Sequence, residues 1–532
     1  MKDALQPRPG QTTLPNGAGL HVMGSGMNAL RVCVLRQGQR ISPLPAALVA
    51  IIAGFAASSY AQAEPPVPAA SAGQEPRSML TAAAPGPKEL GLRVQRARLK
   101  NGLRVVLNED HASPTVAVCV TYDVGSRNES KGRSGFAHLF EHMMFQGSRN
   151  VAKGDHFTLI ASRGGTLNGT TSSDRTNYFQ LLPSNALELG LWLEADRMKT
   201  LAVTQENFEN QRSVVQEEFR MRVSNAPYAT GQTRMRELAF KDYWPYEHDP
   251  IGSMEDLDAA KLEWIREFHR GYYAPNNAVL TISGDFDPAR AMALVHTHFA
   301  DATQSEVPAY TPPPAPNPQI EPRVAEVTDK NARTPGLYLG WVIPPFREPE
   351  HYALELAGVI LGYGDSSALH QKLVQDDASA SNVVTWTYDH RGPDLFVVRA
   401  ILSETGKVEG VQTAIRKELD RLATVGPSGD EVQKAKQRLQ SFFLFGLEGN
   451  MDRATQLSNY ELYYGDARLL GEELKYYFAV TPDQIQKAAQ KYLGADKSST
   501  VVVQPMNAAS GPQANSHAGT PSPEPLAARS KP

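Results

Sequence analysis

Apolar positions between residues 102 and 124 either alternate with polar ones or run together with β-branched side chains, so 102–107 and 115–124 predict two strands. Apolar spacing then lengthens to a helical period over 135–145. A Gly-Gly turn and a strand pair follow within 165–182, with helices at 185–198 and 206–223. A helix at 259–273 and a strand at 278–283 close this half. From residue 337 the same order recurs: a strand at 337–343, a helix at 348–361, strands at 383–388 and 395–401, helices at 407–422 and 430–444, and a final strand at 500–503. Thr481-Pro482 supplies a capping residue and a first-turn proline for the last helix. Repetition of one grammar predicts an α+β chain built from two copies of a unit, each a largely antiparallel sheet flanked by helices.

Three segments lack periodicity and read as solvated connectors. Residues 64–88 are rich in Pro and Ala, 302–323 contain Thr311-Pro312-Pro313-Pro314-Ala315-Pro316-Asn317-Pro318, and 508–532 form a polar, Pro-rich tail expected to be disordered. The middle one is a semi-stiff spacer, because successive prolines favour an extended chain. It separates a first domain at 89–301 from a second at 324–507, each large enough for a core of its own.

At the front, Arg31, Arg36 and Arg40 precede the apolar run from Leu44 to Ala57, and Ala61-Gln62-Ala63 supplies a small-x-small cleavage pattern. Residues 1–63 therefore read as a secretory signal region. The run is shorter than the ~20 apolar residues that a spanning helix needs, so no stable membrane span is expected after cleavage. Export to a bacterial periplasm follows as an expectation.

The charge balance, 53 Lys+Arg against 57 Asp+Glu, leaves no basic footprint for nucleic acid. Two cysteines, Cys33 and Cys119, cannot build a disulfide framework or a Cys-rich zinc site. Any bound metal must be held by His and carboxylates.

His138-Leu139-Phe140-Glu141-His142 meets that requirement. Phe136, Leu139, Phe140, Met143 and Met144 mark the buried side of a helix, and residues four apart stack along it, so His138 and His142 point the same way. Two such imidazoles can grip one zinc ion. Glu141 flanks the same face, where it can reach a water without becoming a ligand, as in the inverted H-x-x-E-H arrangement. A catalytic zinc needs a third protein ligand. The helix at 206–223 offers Glu217 and Glu218 beside an inner side of Phe208, Val215, Phe219 and Met221, and spacing alone does not choose between them.

Several stretches together resemble the M16 (pitrilysin or insulinase) metallopeptidases, in particular the short-chain, processing-peptidase-like group. They are Gly125-Ser126-Arg127-Asn128-Glu129, the segment from Gly135 to Gly147, Leu191 to Met198, Asn210 to Glu218, Ile251 to Leu257, and Tyr273 to Ala278. The resemblance implies two homologous α/β-roll domains, the first catalytic and the second not. It implies one zinc per chain held by His138, His142 and Glu218, the last lying six residues after Arg212 and 76 after His142. Glu141 is then the general base of an endopeptidase for unfolded or short peptides. The alternatives are a non-catalytic M16-like binding or scaffold subunit and, more weakly, a non-proteolytic zinc hydrolase.

Residues 164–178 resemble the strand on which that family receives an extended peptide through main-chain hydrogen bonds, which makes Asn168, Gly169 and Thr170 candidate substrate-binding residues. Gly169 stands where relatives usually carry Ala. In the second half, 352–360 contain no His-x-x-Glu-His, and 366–381 lack the Arg and Tyr that many members place after the Gly-rich turn. The resemblance therefore implies a heterodimer with a zinc-less M16-like subunit, or else a homodimer.

Overall fold

The structure is a computed structural model that describes residues 90–316 and 319–506. The signal region, the 64–88 linker and the 508–532 tail lie outside the described residues.

The first half contributes strands β1 (Val94–Arg98), β2 (Arg104–Glu109), β3 (Thr115–Tyr122), β4 (Thr166–Thr171), β5 (Thr176–Pro183) and β6 (Ala278–Gly284). Its longer helices are α1 (Phe136–Met143), α2 (Leu187–Thr200), α3 (Gln205–Phe219), α4 (Ala229–Ala239), α5 (Leu262–Tyr272) and α6 (Pro288–Phe299). In the second half are β7 (Arg323–Asp329), β8 (Gly336–Ile343), β9 (Ala380–Trp386), β10 (Asp394–Leu402) and β11 (Ser499–Pro505). Its longer helices are α7 (Pro349–Gly362), α8 (Val408–Thr424), α9 (Gly429–Phe445), α10 (Asn450–Tyr464) and α11 (Pro482–Tyr492). Thr481 caps α11, its side chain accepting from the Gln484 N–H.

The two sheets follow one path. The first runs β1-β2-β6-β3-β5-β4 and the second β7-β11-β8-β10-β9. In each, a single parallel pair (β2 with β6, β7 with β11) sits beside antiparallel ladders. Removing β1 makes the orders superimpose, as expected of a duplicated α+β unit.

One face of each sheet is covered by its own half. Val118, Leu139, Phe140, Leu191, Phe208 and Ile265 share one core, and Leu339, Leu354, Phe396, Ile415 and Ile485 another. The other face is covered by a helix from the opposite half. Helix α4 packs on β7, β8 and β11, placing Met235 with Tyr338, Val397 and Val501. Helix α10 packs on β3, β5 and β6, placing Leu457 and Tyr460 with Val106 and Val279. Strands β3 and β6 are consequently buried on both faces and carry apolar runs rather than strict alternation.

Polar contacts fix this exchange. Asn450 donates from Nδ2 to the Thr115 carbonyl at 3.0 Å, Ser458 donates to Thr121 Oγ1 at 2.7 Å, and Arg96 Nε meets Glu461 Oε2 at 2.7 Å. Apart from Arg323, which opens β7, the 302–323 connector has no regular element among its described residues and is largely exposed, but Ser305 exchanges hydrogen bonds with Asn276. Cys119 is buried and free.

Candidate metal centre

Helix α1 begins at Gly135, whose φ of 85° is left-handed and whose missing side chain cannot cap. Glu129 does that work from outside the helix: its carboxylate accepts from the Gly135 N–H at 3.0 Å and the Ala137 N–H at 2.7 Å. A negative charge there satisfies orphan donors and favours the helix dipole. Burial raises the Glu129 pKa, and His248, with Nε2 3.0 Å from Oε2, works against that rise. Leu139, Phe140 and Met143 then face the core, which turns His138 and His142 toward α3.

Helix α3 starts at Thr204, whose side chain accepts from the Asn207 N–H. Its buried stripe is Phe208, Gln211, Val215 and Glu218, a run of three- and four-residue steps. That stripe decides between the adjacent glutamates: Glu218 is on it, whereas Glu217 is exposed and pairs with Arg220. The same periodicity was present in the sequence and could have separated them. Two expected inner residues differ. Phe219 is only half-buried and Met221 is exposed, because the chain passes into a wider π-helical turn at Arg220–Ser224.

His138, His142 and Glu218 bring one ligand atom each within 4.8 Å of one another. Glu218 Oε2 lies 3.7 Å from His138 Nε2 and 3.2 Å from His142 Nε2, and the imidazole planes cross at 85°. Tetrahedral zinc with bonds of about 2.1 Å requires ligand-to-ligand edges of roughly 3.4 Å, so the set fits such an ion. All three residues are almost fully buried, and His138 Nδ1 has no hydrogen-bond partner. On the outer side, Arg222 Nε stands 3.0 Å from Glu218 Oε1.

The electrostatics agree with that donor set. Burial pushes His138 down to about 4, keeping the neutral imidazole that a metal requires. Burial disfavours the Glu218 carboxylate, but His142, His138 and Arg222 outweigh it and hold the group at about 2. For His142, burial is likewise opposed by Glu218, and the net shift is upward. A cation held between these groups would compete with protons for the same donor atoms.

Glu141 is buried beside the cluster, and burial raises its pKa. Thr171 Oγ1 donates to Glu141 Oε2 at 2.5 Å. Gly169 lies against the same carboxylate, for a Cβ there would stand 3.0 Å from Glu141 Cγ. Both residues are on β4, the edge strand of the first sheet. Side chains alternate along a strand, so Asn168 and Thr170 belong to the opposite face. Asn168 Oδ1 accepts from the Gly169 N–H, and Thr170 donates to Asn177 Oδ1 at 2.6 Å. Of the three expected substrate residues, only Gly169 abuts Glu141. Thr171, Arg222 and the capping role of Glu129 were missed by sequence reasoning. Their partners are 30, 4 and 6 to 8 residues away, and only the Arg222 spacing carries a helical signal.

The family description "Insulinase (Peptidase family M16)" matches residues 104–242, the span that holds all four residues, and "Peptidase M16 inactive domain" matches 260–439. Zinc protease PqqE of Helicobacter pylori is 30% identical over 409 residues, covering 76% of this chain and 92% of that protein. An uncharacterized zinc protease of Mycobacterium leprae is 30% identical over 411 residues, covering 75% of this chain and 89% of that one. The crystal structure of a protease from Helicobacter pylori aligns with a TM-score of 0.74 at 30% identity, covering 78% of this chain and all of that one. The chain belongs to the M16 peptidase family. Among the described residues no helix is long and apolar enough to cross a membrane.

Proposed function

We propose that the chain is a zinc-dependent endopeptidase for unfolded or short peptides, with His138, His142 and Glu218 holding the ion and Glu141 as general base. The observation that carries this reading is the convergence of two imidazole nitrogens and a carboxylate oxygen beside a second, buried carboxylate tied to an edge strand. Zinc, when bound there, polarises the scissile carbonyl and acidifies water. Glu141 takes the proton from the attacking water and passes it to the leaving amine. The Thr171 hydroxyl orients it. An extended peptide pairs with the open side of β4 through its main chain, which tolerates many sequences and demands an unfolded segment.

The alternative is a non-catalytic binding or scaffold subunit, favoured by the inactive-domain description over 260–439. Glu141→Gln separates the two readings. On the proposed reading it leaves zinc content unchanged and abolishes hydrolysis of unstructured peptides, whereas His138→Ala loses one zinc per chain along with activity. Full activity in Glu141→Gln would sink the assignment.

We also infer export to a periplasm, from the segment pattern of residues 1–63, and pairing with a zinc-less M16-like subunit rather than with a second copy. The support for that partner is the lack of Arg and Tyr in residues 366–381. Full turnover by the purified chain alone would reverse it.

A further inference from the structure

Helix α7 follows β8 as α1 follows β3, so it is the counterpart in the second half of the helix that carries the histidine pair. It has no His-x-x-Glu-His, but one residue before the 352–360 stretch it carries His351, and one turn further on Glu355. The connection between β9 and β10 brings Asp389 to the same place. Ligand atoms of His351, Glu355 and Asp389 lie within 4.8 Å of one another, the second such group among the described residues.

His351 is completely buried. Its Nδ1 lies 3.0 Å from the Pro344 carbonyl oxygen, which can only accept, so Nδ1 carries a hydrogen. That leaves Nε2, which has no hydrogen-bond partner, facing Asp389 Oδ1 at 3.7 Å and Glu355 Oε2 at 3.9 Å. A neutral imidazole lone pair aimed at two carboxylates is repulsive, so a positive charge belongs between them. A proton alone serves poorly, since N–H···O bonds span about 2.7 to 3.2 Å and both gaps are longer. A metal ion suits them better, because a tetrahedral edge of roughly 3.4 Å asks these two gaps to close by only about 0.3 to 0.5 Å.

We propose that His351, Glu355 and Asp389 form a second divalent-metal site, taking an ion of zinc's class, in the half without the peptidase motif. Its outer contacts are those expected of such a site. The Nδ1–H bond to a backbone carbonyl fixes the tautomer and ring orientation, as is usual for a metal-bound histidine. Tyr477 donates its hydroxyl to Glu355 Oε2. Asp389 is 59% exposed, which gives the ion a route from solvent and leaves room for water as a fourth ligand. The ion would tie α7 to a loop whose Arg391 and Gly392 reach the first half, through Asp123 at 2.7 Å and the Tyr246 hydroxyl at 2.8 Å. Its role is therefore structural. The competing state is a protonated His351: burial opposes the charge, but Asp389, Asp394 and Glu355 together push the group up to about 9.

Zinc content of the full chain, measured by elemental mass spectrometry after dialysis from zinc buffer, tests the site independently of the peptidase reading. The unaltered chain should hold two ions, Asp389→Asn one, His138→Ala one, and the double variant none. Asp389 is exposed, so the amide should fold. Zinc should also raise the melting temperature of His138→Ala, and Asp389→Asn added to it should remove that rise. Equal zinc in Asp389→Asn and the unaltered chain would overturn the second site, and loss of all zinc in His138→Ala would do the same. Retention of both ions by His138→Ala would instead overturn the His138 assignment alone.

Discussion

The Thr171 hydroxyl donates a 2.5 Å hydrogen bond to Oε2 of Glu141, joining the edge strand of the first sheet to the helix that carries both histidines. One bond thus holds the proposed base at the strand proposed to receive substrate, although 30 residues separate the partners.

Thr171→Val should therefore reduce kcat/KM by roughly 10- to 100-fold, the cost of one hydrogen bond to a charged group. Zinc content should not change, because Thr171 touches no ligand residue directly. Thr171→Ser, which keeps the hydroxyl, should recover most of the activity. Peptide hydrolysis alongside metal analysis checks both.

Arg222 stands behind Glu218 and steadies the oxygen turned away from the histidines. Arg222→Ala should weaken zinc binding by about 10- to 100-fold, the usual scale for losing an outer partner of a ligand. Competition with a chelator of known affinity measures this. Unchanged affinity would show that the Arg222 contact does not support the ligand.

Helix α4 approaches the second sheet at Gly231, where a Cβ would stand 2.4 Å from Val503 Cγ2 and 2.7 Å from Tyr338 Cε2. Gly231→Ala should cost about 1 to 3 kcal/mol through overpacking and lower the melting temperature. The His138 site lies on another helix, so zinc content should be retained. A melting curve with metal analysis on the same sample tests the exchange of helices between halves.

His156 is buried with Nε2 3.4 Å from Gln180 Oε1, and burial pushes its pKa down to about 3. An unfolded chain regains the ordinary value near 6.5 and so binds more protons between those limits. Stability from this group is fully present above pH 6.5 and is lost as the pH falls toward 3. Between pH 6.5 and 5 the loss is about 2 kcal/mol. His156→Gln should remove that increment, which denaturant unfolding of the two chains at both pH values would show as a shallower slope. His269 and His390, held near 4 and 3 by burial, load the same window and remain in both chains.

Much of the architecture could be read along the chain. Spacing located α1, α3, β3, β6 and their counterparts within a few residues, because each has a continuous apolar stripe or run. Helices α4 and α10 escaped that reading. Their sequences, 229–239 and 450–464, carry polar residues that pair across to the other half, as Asn450 and Ser458 do, and so no clean stripe marks them. Each half has the core expected of it, and the exchange of these two helices onto the opposite sheet went unread for the same reason.

The metal centre divides along the same line. That His138 and His142 share a helix face, with Glu141 beside them, follows from backbone geometry over five residues, and any helix there would produce it. The buried step from Gln211 to Glu218 is also local. What packing alone decided is that this glutamate meets those histidines from 76 residues away, that Thr171 reaches Glu141, and that Asp389 closes on His351 and Glu355. Period and spacing describe what one element presents. Which faces meet is settled by how sheets and helices bury their apolar surface together, and that leaves no mark at any single position.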